Sequence, residues 1–406
     1  MRVDPITFLA AGALCVVLPS PGVAEDAAPS QVDIEVAEGG LDHLYARLAD
    51  AEAGQPGAVV RISVFADSIN GCDWVTSSLR HLLQARFGDG GRGWVHIAPG
   101  WTYQHQQDVR WTHAQSWRTS ILNRGDGPGA RYGYGGVLAQ NTSRGSKATF
   151  TTVPDGPSGT AVSRFRLFYQ AFPGGGSVRV RVDGGEPREV AGAAEAVEDR
   201  VHEVAVEDGS HAFEVTVGEG HIRLYGVVME RDGPGVVVES IALIGARVAR
   251  LLRFDREHLR RQVELREPDL LVFWLGGNNV LSDRWTRDAF VRNYGQGIAT
   301  ARQGRPEASC LVVSVTDIGE RGSGRSIERL PDVVEAQREV ARAQGCGFYD
   351  VFSAMGGAGT MRRWSLSTEP RLGALDFRHI TPEGGVHIGG LIHDALIRGY
   401  EAYRNR

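Results

Sequence analysis

Four cysteines in 406 residues are too few for a disulfide scaffold. Setting aside Cys15, which lies in an N-terminal apolar segment, leaves Cys72, Cys310 and Cys346, an odd set without metal-ligand spacing. These allow one disulfide at most, and the expected state is buried free thiols. No run of lysine and arginine occurs and the formal net charge is −5. No basic field is therefore available to gather phosphates, and nucleic acid is not an expected partner. His96, His105 and His113 are too scattered for a metal site. Gly356-Gly357-Ala358-Gly359 follows no dinucleotide-binding pattern and lacks the lysine of a phosphate loop, so neither a metal nor an organic cofactor is expected.

Long apolar runs are also scarce. The one from Ile6 to about Pro19 falls short of the roughly 20 residues of a membrane-spanning helix. It follows Arg2 and gives way to Gly22-Val23-Ala24 ahead of Glu25, the layout of an export signal. Asp4 weakens the positive start and leaves an uncleaved anchor as the alternative, while Leu14 is too large for lipoprotein processing at Cys15. Residues 1–24 are thus expected to be a signal peptide and 25–40 a linker, giving a periplasmic or secreted protein with no stable membrane span.

The remainder is ordinary globular sequence, 42% hydrophobic and 23% charged, with room for more than one domain. From about Leu41, apolar runs at Val59 to Phe65, Val236 to Ile244, Leu270 to Leu275, Leu311 to Val315 and Gly347 to Phe352 read as buried strands. Helical spacing appears at Trp74 to Phe87, around Leu259 to Val263, and at Trp285 to Arg302, Val333 to Ala343 and Glu383 to Tyr403. Buried strands alternating with helices predict an α/β domain on a parallel sheet covered on both faces. Between about Ser143 and Asp232 the period changes to two, at Phe165 to Tyr169, Val178 to Val182, His211 to Val217 and Ile222 to Leu224. Turns such as Asp183-Gly184-Gly185 separate these runs. The domain expectation is therefore an α/β domain over 41–142 and 233–406, interrupted at 143–232 by an all-β, jelly-roll-like sandwich. A modular insertion of this kind needs its two ends close together.

Chemistry is carried by residues at strand ends. A serine hydroxyl needs a histidine to take its proton and a carboxylate to orient that imidazole. Ser68, ending Phe65-Ala66-Asp67-Ser68, supplies the candidate nucleophile; Asp376-Phe377-Arg378-His379, before the last helix, supplies the candidate carboxylate and base. Acyl transfer also requires fixed donors for the oxyanion, each worth roughly 3 kcal/mol. The candidates are the backbone N–H groups of Ser68 and Gly245 and the side-chain amide of Asn278, from Ile241 to Ala246 and from Leu275-Gly276-Gly277-Asn278-Asn279.

Taken in order, these four pieces resemble the SGNH (GDSL-like) hydrolase superfamily, which implies a three-layer α/β/α fold with a flavodoxin-like parallel sheet. The resemblance favours Gly245 over Gly136, in Tyr132-Gly133-Tyr134-Gly135-Gly136, because the family's glycine block stands nearer to its asparagine. Asn70-Gly71-Cys72-Asp73-Trp74, Leu79-Arg80, Gln84, Arg86 to Gly91, Pro268-Asp269-Leu270, Phe348 to Phe352 and Met355-Gly356-Gly357 are similar to the branch with bacterial peptidoglycan O-acetylesterases. Members of that branch carry a β-sandwich like a carbohydrate-binding module between the serine and glycine blocks, where this chain has its insertion. The resemblance implies a serine esterase removing O-acetyl groups from a glycan, most directly peptidoglycan. Trp101, Tyr103, Trp111 and Trp117 are candidate sugar-stacking aromatics. Alternatives are an O-acetyltransferase, an esterase on another polysaccharide or lipid, and a non-catalytic glycan-binding protein. Two positions depart from the family pattern: Ala66 replaces the usual glycine, and Asn279 replaces an acidic residue.

Overall fold

Strands with little polar surface must bury both faces, and five of them do so in one parallel sheet. Their order is Gly235–Ala242, Val59–Ala66, Leu270–Trp274, Ser309–Val313, Gly347–Tyr349. Counted along the chain this is 2-1-3-4-5, the flavodoxin-like order, which places a ligand crevice at the carboxyl ends of the strands flanking the switch point. The computed structural model describes residues 31–406; the expected signal segment, 1–24, lies outside them. Among the described residues no helix is long and apolar enough to cross a membrane.

Alternation along the central strands divides the core. Val60, Ile62, Val64 and Ala66 face the helices Asp42–Glu52, Trp74–Phe87 and Pro382–Arg404. Phe65, Leu271, Phe273 and Val312 face Arg256–Arg266, Arg287–Arg302 and Leu330–Ala343. The expectation of buried free thiols is overturned here. Cys310, on strand Ser309–Val313, is bonded to Cys346, just before Gly347–Tyr349. These strands are neighbours with Leu311 opposite Gly347, so the preceding residues, 36 apart in sequence, meet across the pair. Cys72 is free and half-buried.

Two antiparallel sheets pack against each other beside this domain. One runs Glu198–Gly209, Val162–Ala171, Ile222–Glu230, Val137–Asn141, Arg118–Ile121, with Gly93–His96 also paired to Ile222–Glu230. The other runs Arg110–His113, Lys147–Thr151, Ala212–Val217, Ser177–Val182, Arg188–Ala191. Val162, Phe165, Val180, Phe213 and Val215 fill the space between them. Strands of these sheets thus begin at Gly93, well ahead of the change of period near Ser143. The early strands carry little alternation: Gly93–His96 is buried at every position, and Arg110–His113 and Arg118–Ile121 are short and separated by irregular chain.

The chain enters and leaves these sheets side by side, with Gly88 to Gly90, not the expected Ser143, next to the exit: Arg231 N–H donates to Gly90 O at 2.9 Å and Val236 N–H to Gly88 O at 2.9 Å. The sandwich is nevertheless not a separable module. Trp94, Tyr134, Phe168, Tyr225 and Val228 belong to the same core as Phe65 and Phe273 of the central sheet. Beside that shared core sits a buried charge network. Glu239, fully buried, accepts from Ser63 Oγ at 2.8 Å, Trp94 N–H at 3.0 Å and Arg266 Nε at 2.9 Å. Arg266 Nη2 reaches Glu230 Oε1 at 2.7 Å as an ion pair rather than an aligned hydrogen bond, and Arg61 binds the same carboxylate at 2.9 and 3.1 Å. Burial alone would raise the Glu230 carboxyl, but Arg266 and Arg61 hold it far below the usual range.

Removing one partner from such a network leaves uncompensated charge in the interior. Arg266→Met is expected to destabilise the fold by about 3–5 kcal/mol in urea unfolding, because two buried carboxylates lose their common cation. A loss below about 1 kcal/mol would mean that Arg61 and Ser63 suffice to hold Glu230 and Glu239.

Candidate active site

The chain leaves strand Val59–Ala66 into a tight turn. Asp67, buried, accepts from Ile69 N–H at 3.1 Å and caps the short 3-10 turn Ser68–Asn70, so Ser68 emerges at the carboxyl edge of the sheet. Ala66 does not cramp this turn. It remains in the strand, opposite Ala242 and Trp274, without a positive φ, and its methyl lies in the core.

Asp376 and His379 reach the same edge on a closed loop. Ala374 N–H donates to His379 O at 2.8 Å, and Gly373 bridges to Ile380. Phe377 takes φ +59°, a conformation costing about 1–3 kcal/mol for a bulky residue. Burial of its ring and a 2.7 Å bond from Gly319 N–H to its carbonyl hold it there. The twist lets Asp376 Oδ1 accept from the N–H groups of Arg378 and His379 at 2.9 and 3.0 Å while Oδ2 meets His379 Nδ1 at 2.6 Å. Burial would raise the Asp376 carboxyl, but these bonds outweigh it and hold it below the ordinary value. The other ring nitrogen, His379 Nε2, lies 3.0 Å from Ser68 Oγ.

Gly245 and Asn278 line the same cleft of about 240 Å³ as Ser68, Asp376 and His379. Gly245 has φ +73° and open space where a Cβ would stand. Among the described residues the backbone N–H groups of Ser68 and Gly245 donate to no other group. Gly136 lies elsewhere, against Leu243 at a separate apolar cavity of about 20 Å³. Asn278 follows the strand Leu270–Trp274, and its Nδ2 donates to Ala246 O at 3.1 Å and Asp67 Oδ2 at 3.3 Å. Its amide therefore fastens the glycine loop to the serine turn. Asn279 ties the same loop from the other side, its Oδ1 accepting from Val248 N–H at 3.1 Å.

Sequence reasoning passed over several residues here. The sequence presents Asp67 only as part of the serine motif, and Thr316, Ile318 and Arg321, in the chain following Ser309–Val313, belong to no motif piece yet line the cleft, as does Arg378. Of the four aromatic candidates, Trp117 is buried and donates to Lys147 O at 3.1 Å, while Trp111 donates to Ile97 O at 3.2 Å against the sandwich core. Trp101 is partly buried against the shared core. Tyr103 is 74% exposed, and its carbonyl is 3.6 Å from Cys72 Sγ beside the serine turn.

Residues 186–385 match the GDSL-like Lipase/Acylhydrolase family model. The match begins within the sandwich and includes Gly245, Asn278, Asp376 and His379, with Ser68 upstream of it. A solved peptidoglycan O-acetylesterase structure superposes with a TM-score of 0.75 at 21% identity, covering 89% of this chain and 96% of that one, which shows a shared fold. A family two carbohydrate esterase from Cellvibrio japonicus matches at 11% identity and a TM-score of 0.30, covering 73% of this chain and 98% of that one. No curated protein sequence matches.

Burial pushes the Asp67 carboxyl up to about 6, only partly offset by Ile69 N–H, His379 and Asn278. A raised folded-state value favours the protonated fold, so this contribution is full below about pH 4 and lost as pH rises through about 6. Wild type should therefore lose on the order of 2–3 kcal/mol of stability relative to Asp67→Asn between pH 4 and pH 7. Parallel stability curves for the two proteins, measured by denaturant titration at each pH, would contradict it.

Proposed function

We propose, for a chain that carries a GDSL-like lipase/acylhydrolase domain and is thereby an ester hydrolase, that it removes O-acetyl groups from a glycan outside the cytoplasm, peptidoglycan first among them. The observation that carries this reading is the relay of 3.0 Å from Ser68 Oγ to His379 Nε2 and 2.6 Å from His379 Nδ1 to Asp376, opening into one cleft with Gly245 and Asn278. His379 takes the proton as Ser68 Oγ attacks the acetyl carbonyl, and Asp376 steadies the imidazolium. The oxyanion is met by the N–H groups of Ser68 and Gly245, with Asn278 turning one amide hydrogen towards it from its present acceptors. His379 then protonates the departing sugar hydroxyl, and water, deprotonated by the same histidine, releases acetate.

The cleft is below the roughly 300–1,000 Å³ of a drug-sized pocket, which suits a short acyl group better than a long chain. The peptidoglycan assignment draws on the fold shared with the peptidoglycan O-acetylesterase. The Cys310–Cys346 disulfide supports an oxidising compartment, in keeping with the export signal proposed at residues 1–24. Tyr103, exposed beside the serine turn, is the aromatic best placed to meet a sugar ring.

Ser68→Ala should abolish acetate release from acetylated peptidoglycan while the thermal transition is retained; wild-type turnover in this variant would sink the assignment. Asn278→Ala should lower kcat by roughly a hundredfold with little change in KM, since its donor acts on charge absent from the ground state. A rise in KM alone would make Asn278 a binding residue instead.

A further inference from the structure

Arginines in this protein are commonly neutralised. Arg338 pairs with Glu35 and Asp350, Arg260 with Glu257, and Arg231 with Asp208 and Asp89. Arg321 and Arg378 differ. Both line the cleft that holds Ser68, and neither forms an ion pair among the described residues. Arg378 Nε is closed off from solvent without a hydrogen-bond partner. The two carboxylates of the cleft are already engaged, Asp67 by Ile69 N–H and Asn278, and Asp376 by His379 and two backbone N–H groups.

A second group of unpaired cations stands behind the glycine wall. The 3-10 turn Val248–Arg253 follows Gly245, and Arg247, Arg250 and Arg253 on and beside it make no ion pair among the described residues. Burial and the neighbouring guanidinium groups of Arg253 and Arg247 hold Arg250 below its ordinary value, as expected where like charges crowd together. Arg253 donates to Asn123 O at 2.8 Å, and Asn123 Nδ2 donates to Ile244 O at 2.5 Å, which places this group against the cleft wall. The chain carries a net charge of −5, so this cluster of positive charge behind the cleft wall is a local feature and not an average one.

We infer that Arg321 and Arg378 form a carboxylate-binding subsite beside Ser68, and that the substrate is an acidic glycan bearing a carboxylate close to its O-acyl group. The inference rests on the hydrolase reading above and narrows its substrate class. A guanidinium presents a planar fork that matches a carboxylate, and an unpaired fork in a partly closed cleft gains most from such a partner. A neutral polysaccharide leaves both forks unmatched. Arg247, Arg250 and Arg253 draw the same polyanion towards this side of the protein through a field that weakens with ionic strength.

The test uses two probes that differ only in charge: a 6-O-acetylated N-acetylhexosamine with a free lactyl ether carboxylate, and the same compound with that carboxylate converted to its methylamide. Wild type should favour the acid by roughly tenfold or more in kcat/KM. Arg321→Gln and Arg378→Gln should each shrink that ratio severalfold, mainly through KM, and the double variant should bring it near unity. The corresponding lysine variants should recover part of it. A wild-type ratio near unity, or an unchanged ratio in the double glutamine variant, would overturn the subsite. Calorimetric titration of Ser68→Ala protein with both probes separates the two ideas. Tighter binding of the acid supports the subsite even if neither ester is cleaved, and equal binding refutes it even if both are.

Discussion

Glu239 is a carboxylate without access to water, and the arrangement of the two halves of the molecule follows from what that charge requires. Its ligands come from three places: Ser63 on the neighbouring central strand, Arg266 at the end of a covering helix, and the Trp94 N–H of a strand in the sandwich. The third can arrive only because residue 93 is glycine. With φ +83° it passes so close that a Cβ would stand 2.6 Å from Val237 Cγ1 and 3.0 Å from Glu239 Oε2. Ser63 and Glu239 are also direct partners in the parallel ladder, and the same register sets Ala66 opposite Ala242. The two strands thus end level, one passing into Ser68 and the other into Gly245. The charge network and the relative height of nucleophile and glycine loop are fixed by one register.

Much of this organisation was legible from residue order. The helix Trp74–Phe87 has the bounds its sequence predicts because its apolar stripe is regular and Gly88 stops it. The five central strands were recognised because burial on both faces leaves them nearly uniformly apolar. Ser68, Asp376, His379, Gly245 and Asn278 each sit in a short motif next to a strand or helix end, and the structure brings all five to one cleft.

What was not legible depends on contacts between distant segments. The strands from Gly93 to Ile121 are too short to show a period of two, and the first of them is buried at every position, so the sandwich begins earlier in the chain than the change of period near Ser143 indicates. The Cys310–Cys346 bond needs the pairing of two strands across a helix, which spacing alone does not give. Asp67 and Asn278 look like two separate motif residues until the 3.3 Å contact shows one holding the other. Ala66 and Asn279 looked like losses against the family pattern. The strand conformation accommodates the first, and the amide of the second pins Val248 beside the glycine loop.

Lys147 is the only lysine among 44 basic residues, and the other 43 are arginine. It begins a strand of the outer sheet of the sandwich, half-exposed and paired with Glu214, and no residue of that sheet lines the cleft. Amine-directed coupling therefore has a single side-chain address on this protein, on the face turned away from the central sheet. Attached to a surface through that residue, the molecules would share one orientation, with the cleft left open to a polymer in solution.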